Sequence, residues 1–106
     1  MIRHVAISTS TQNHNALGVT ADANRPQTLL AFTLFSAGTC AVKFTDGTND
    51  LTGAMPLVAN GHVEIACSEG LCKAPAGTAL NIHLSAAIAI TGMATILVGE
   101  PTRQTL

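Results

Sequence analysis

Cys40-Ala41-Val42-Lys43-Phe44-Thr45-Asp46-Gly47, His62-Val63-Glu64-Ile65-Ala66-Cys67 and Ala79-Leu80-Asn81-Ile82-His83-Leu84 decide the fold of this chain. In each stretch apolar and polar side chains alternate. Cys40, Val42 and Phe44 share one face. Val63, Ile65 and Cys67 do the same in the second stretch, and Leu80, Ile82 and Leu84 in the third. A period of two places one set of side chains on a buried face and leaves the other wet. Asp46-Gly47, Asn60-Gly61 and Pro75-Ala76-Gly77 separate the stretches, and the first two suit two-residue turns because they tolerate positive φ. The reading is an antiparallel sheet with one buried face, in an all-β protein.

Working outward, Gln27 to Ser36 is a strand that begins just after Pro26, since proline fixes φ and pushes Arg25 towards extended geometry. Regular alternation puts Leu30, Phe32 and Leu34 on one face and Leu29, Ala31 and Phe35 on the other. Both faces are apolar, as in a central strand or one covered by a partner. Ala37-Gly38 turns the chain back. Leu51 to Val58 is a short strand pair interrupted by Pro56, which places it at a sheet margin. Ile88 to Gly99 closes the structure, with Gly92 marking a bulge or a close contact. Ile2 to Ser8 is a first strand, and the polar run Ser8 to Asn15 reads as a loop. Residues 1–15 are either an edge strand with its loop or an arm that adds to a neighbour's sheet. Ala16 to Thr20 is a further short strand, residues 16–100 form the sandwich, and 101–106 a polar tail.

Lys43-Phe44-Thr45-Asp46-Gly47-Thr48, Asp50-Leu51-Thr52-Gly53, Pro56-Leu57-Val58-Ala59-Asn60-Gly61, Ala76-Gly77-Thr78-Ala79-Leu80-Asn81 and Leu84-Ser85-Ala86-Ala87 follow one another in that order. This series resembles the small jelly-roll-like virion proteins of tailed bacteriophages, capsid cement or decoration proteins among them, over the span from Thr28 to Val98. The resemblance implies a single-domain antiparallel β-sandwich that sits on the capsid surface, made in the host cytoplasm. Its partners would be the phage major capsid protein and further copies of itself, commonly as a homotrimer. A tail, neck or head-fibre component on the same fold is the nearest alternative. A small-ligand or sugar-binding sandwich is the alternative from another class.

Composition points the same way. Of 106 residues 47% are hydrophobic and only 10% charged, against a usual charged share of about a quarter. A domain this small has much surface to cover, so weakly polar surface is expected to face protein. A partner would be sought on Leu29, Ala31 and Phe35, and, if the N-terminal segment takes part, on Ile2, Val5 and Ile7. Phe35→Asp is expected to split or unfold such an oligomer, and Thr45→Asp, at an exposed strand end, to do neither. Arg3, Arg25, Lys43, Lys73 and Arg103 are scattered, so no stripe exists to neutralise phosphates and nucleic-acid binding is not expected. Trp and Tyr are absent, which disfavours base stacking and sugar platforms. The N-terminal apolar run is too short for a signal peptide, and Ala86 to Val98 is too short and interrupted to span a bilayer.

A search for chemistry ends in turn residues. The sequence has no Gly-rich phosphate loop, G-x-S-x-G, H-E-x-x-H or CxxC. His62, Cys67 and Cys72 could be drawn as a zinc set, but His62 and Cys67 fall on opposite strand faces. Asp46, Asn49 and Asp50 could hold calcium, yet the twelve-residue ligand pattern is missing and turns use the same residues. No enzyme activity, cofactor or metal is expected, and the three cysteines are expected to be free thiols.

Overall fold

The computed structural model describes residues 1–67 and 69–99. The tail expected over residues 101–106 lies outside the described residues. Nine strands form among those described: β1 (Ile2–Thr9), β2 (Asn13–Ala16), β3 (Gln27–Ser36), β4 (Cys40–Thr45), β5 (Met55–Leu57), β6 (His62–Ala66), β7 (Cys72–Ala74), β8 (Asn81–Leu84) and β9 (Ile90–Val98). One sheet runs β1-β9-β3-β6, with β7 also paired to β3, and the other runs β2-β8-β4-β5. Every pairing is antiparallel. The partners nest from the outside inward: β1 with β9, β2 with β8, β3 with β6 and β7, and β4 with β5. A long hairpin wrapped over itself into two sheets is a jelly roll. The expected all-β antiparallel sandwich is therefore the fold. Among the described residues no helix is long and apolar enough to cross a membrane.

The alternation read from sequence buries one face of β4 and of β8, but in β6 Ile65 stays exposed and Val63 half-buried, and the turns do other work than expected. Asp46-Gly47 is not a two-residue hairpin turn. Residues 46–49 form a four-residue loop between Thr45 and Asp50, with Gly47 at φ +96°. At Asn60-Gly61 the chain passes from β5 in one sheet to β6 in the other, and Asn60 takes φ +61° while the Gly61 N–H donates to Val58 O. Pro75-Ala76-Gly77 likewise carries the chain from β7 to β8 in the opposite sheet. The three deciding stretches thus lie in both sheets, β4 and β8 in one and β6 in the other.

Strand β3 corrects the largest error of regular alternation. A bulge between Leu29 and Ala31 shifts its register against β9, so Gln27 and Leu29 point inward before it and Phe32, Leu34 and Ser36 after it. Leu29 is wholly buried and belongs to the core, whereas Ala31 is half-buried and Phe35 is exposed. The strand therefore has one apolar inner face rather than two. Opposite the bulge, β6 and β7 are halves of one interrupted edge strand. The Cys67 N–H donates to Leu30 O at 2.8 Å and the Leu71 N–H to Leu29 O at 2.7 Å, which satisfies the irregular backbone.

Inside, Phe32 of one sheet meets Phe44 of the other with ring centroids 4.9 Å apart and planes at 52°. Leu29, Leu34, Val42, Ile82, Leu84, Ile90 and Ile96 fill the space around them. Gln27 is, with Ser36 and Thr45, a buried polar residue of this interior. Its Nε2 donates to Val19 O and Thr20 O, both at 3.1 Å, and its Oε1 accepts the Leu80 N–H at 3.0 Å. One buried amide thus ties the 17–20 segment to the start of β8.

The N-terminal region also differs from expectation. The polar run Ser8–Asn15 ends in strand β2, and Ala16 to Thr20 is mostly an extended connection that tucks Leu17 and Val19 into the core. A short edge strand is held by its ladder to β8, so it needs no apolar alternation of its own. β1 pairs with β9 of its own chain along its whole length. Pro56 lies in β5, at the margin of its sheet, as expected.

Candidate functional site

Residues directly opposite in a ladder share a face, so the registers define the outer surface of the β1-β9-β3-β6 sheet row by row. One row reads Ala66, Ala31, Thr95, His4; the next Glu64, Thr33, Met93, Ala6; the third His62, Phe35, Thr91, Ser8. Three of the chain's exposed large apolar side chains lie on this sheet face: Ile2 (48% exposed), Phe35 (50%) and Met93 (52%). The Phe35 ring stacks on His62 at 5.6 Å, and His4 Nδ1 lies 3.1 Å from Thr95 Oγ1, which sets the imidazole against the sheet. Small residues make a shallow depression of about 560 Å³ between Phe35, Met93 and His4, floored by Ala6, Thr33 and Gly92.

The partner-facing residues read from sequence divide accordingly. Ile2, Phe35 and Ala31 lie on this face. Val5 is half-buried and Ile7 fully buried, both packed into the core because the inner side of β1 faces the second sheet. Leu29 and Ile7 therefore offer no surface to a partner. Sequence reasoning missed Met93, His4 and Ala6; the alternation of β1 and β9 was legible, but the pairing that makes them neighbours was not.

The residues weighed for chemistry serve local structure. Asp46 Oδ1 accepts the Thr48 N–H at 2.9 Å and the Asn49 N–H at 2.6 Å, and these bonds hold its carboxyl below the usual carboxylate range. Asp50 Oδ2 pairs instead with Lys43 Nζ at 2.9 Å. Thr45 lies beneath this loop, fully buried, with Oγ1 accepting the Gly47 N–H. Thr45→Asp, expected to be harmless at an exposed strand end, would instead bury a carboxylate. Among the described residues no group of three or more His, Cys, Asp and Glu side chains gathers around a common point.

Cys40, Cys67 and Cys72 are all free thiols, and burial pushes Cys72 up to about 11. Titration in denaturant is expected to give three thiols with or without prior reduction. In the native protein at pH 8, Cys72 should stay unmodified under conditions that fully alkylate glutathione, because so little thiolate is present. Two fewer thiols without reduction, or prompt labelling of Cys72, would contradict this.

No protein-family profile, curated protein or solved structure matches the chain.

Proposed function

We propose that this chain is a structural protein of a tailed-bacteriophage virion, a capsid cement protein that binds the assembled shell and stabilises it. The observation that carries the reading is the outer face of the β1-β9-β3-β6 sheet, where Ile2, Phe35 and Met93 stand about half exposed on a surface with little charge. Such a face is suited to being covered by protein, by the shell or by a further copy of the chain, as in a component of an assembly. The jelly-roll strand order and the use of Asp46, Asp50, Thr45 and Gln27 in holding loops support a structural role over a catalytic one. The mechanism is mass action. A protein that binds the assembled lattice and not its free subunits stabilises the lattice, by about 2.7 kcal/mol per site at a hundredfold excess over Kd.

The test is co-sedimentation of the purified chain with assembled shells lacking it and, separately, with unassembled shell subunits. Binding to assembled shells alone, with a rise in their thermal transition, is the expected result. Equal binding to free subunits, or no binding to either, would contradict the reading.

A further inference from the structure

We infer that the outer face of the β1-β9-β3-β6 sheet is the contact between two copies of this chain, related by a two-fold axis running along the strands midway between β9 and β3. This rests on the reading of that face as protein-covered and not on the virion assignment.

A two-fold contact brings one surface against itself, so large side chains must meet small ones. An axis along the strands lays β3 over β9 of the second copy and β6 over its β1. By the row register, Phe35 then stands over Thr91 of the second copy, and Met93 over its Thr33. Glu64 stands over the second copy's Ala6, and His62 over its Ser8. In every one of these pairs a long or aromatic side chain meets a short one. An axis across the strands would instead stack Met93 on Met93 and Glu64 on Glu64.

Charge selects the same axis. Glu64 is the carboxylate within these rows, and the strand-parallel axis sets it on β1 of the second copy, one row from the imidazole of His4. Lys73, on β7, stays at the rim opposite Ile2. Four strands about 4.8 Å apart and about 27 Å long give a flat footprint of about 500 Å², before the relief of the side chains is added. That is below the about 800 Å² per partner of standard specific interfaces, so a weak dimer populated only toward high concentration is expected. Aligned sheet packing about 10 Å apart is a common arrangement for two such faces.

The homotrimer is implied by the resemblance alone. Of the sequence grounds for an oligomer, the bulge at Leu29–Ala31 removes the second apolar face of β3, and the low charged fraction stands. What remains is one self-complementary surface, which closes as a pair.

Sedimentation equilibrium from 1 to 200 µM tests the inference. The expected mass approaches twice the 10.8 kDa of one chain at the upper end. Met93→Lys, at a half-exposed position, should give a monomer at every concentration, while Val58→Lys, exposed elsewhere on the surface, should leave the dimer intact. Glu64→Lys and His4→Glu should each weaken association at least tenfold, and the two together should restore it. A monomer at 200 µM, a mass of three chains, a dimer indifferent to Met93→Lys, or a double variant as weak as either single one would each overturn the inference. Shell binding is read separately, so a monomer that still sediments with shells would sink this inference and leave the cement reading standing.

Discussion

Gly92→Ala is expected to remove a large fraction of the stability of the fold. Gly92 is the third residue of β9, at φ +151°, and a Cβ built there would overlap the carbonyl oxygen of Thr33 on β3. That oxygen belongs to the backbone of the longest ladder in the protein, so it cannot step aside as a flexible side chain could. Unfavourable φ and overpacking each cost about 1–3 kcal/mol, giving about 4 kcal/mol together. Against a typical total of about 5–15 kcal/mol that is a large fraction. Gly18→Ala separates the two causes. Gly18 also has positive φ, +94°, but a Cβ there meets nothing within 4 Å, so its cost should be near 1 kcal/mol. Urea unfolding of the three proteins decides the matter. Equal losses for the two variants would show that the approach of β9 to β3 is looser than described.

Gln27→Leu should be nearly as damaging, although it swaps a buried polar residue for an apolar one of similar size. The substitution leaves Val19 O, Thr20 O and the Leu80 N–H without the partner each now has. Val19 O and the Leu80 N–H are bonded at buried sites, and an orphaned buried group costs about 1–3 kcal/mol, so a loss of about 3 kcal/mol is expected. Hydrogen exchange should show the effect where the bonds are, with the Leu80 amide losing protection out of proportion to the global loss. A change below about 1 kcal/mol, or unaltered exchange at Leu80, would mean that the amide holds nothing together.

These two residues also mark how far the sequence could be read. Gly92 was legible as a bulge or close contact, because a lone glycine in a long apolar strand has few other uses. Gln27 was not, since one glutamine after a proline carries no pattern, and its role depends on where Val19 and Leu80 come to lie. Strands β4 and β8 were read correctly because each buries one face along a straight ladder, whereas the edge strand β6 keeps the alternation but leaves Ile65 exposed and Val63 only half-buried. Their division between two sheets was not readable, because Asn60-Gly61 and Pro75-Ala76-Gly77 say that the chain turns and not which sheet it turns into. The bulge at Leu29–Ala31 lacks any glycine or proline signal, so alternation carried through it put Leu29 on the outside and suggested two apolar faces. For the candidate surface, Phe35, Ala31 and Ile2 were found from their own strands. Met93 and His4 become neighbours of Phe35 only through the pairing of β9 with β3 and β1, a long-range feature that local patterning does not contain.

The central claim, that this jelly roll is a cement on an assembled phage shell, meets its most direct test in a reconstruction of the intact particle at a resolution that separates strands. The account predicts a small sandwich on the outer shell surface, with strand order β1-β9-β3-β6 over β2-β8-β4-β5, bridging neighbouring shell subunits. Density for this chain in the tail or neck, or shells complete in every respect without it, would contradict the claim.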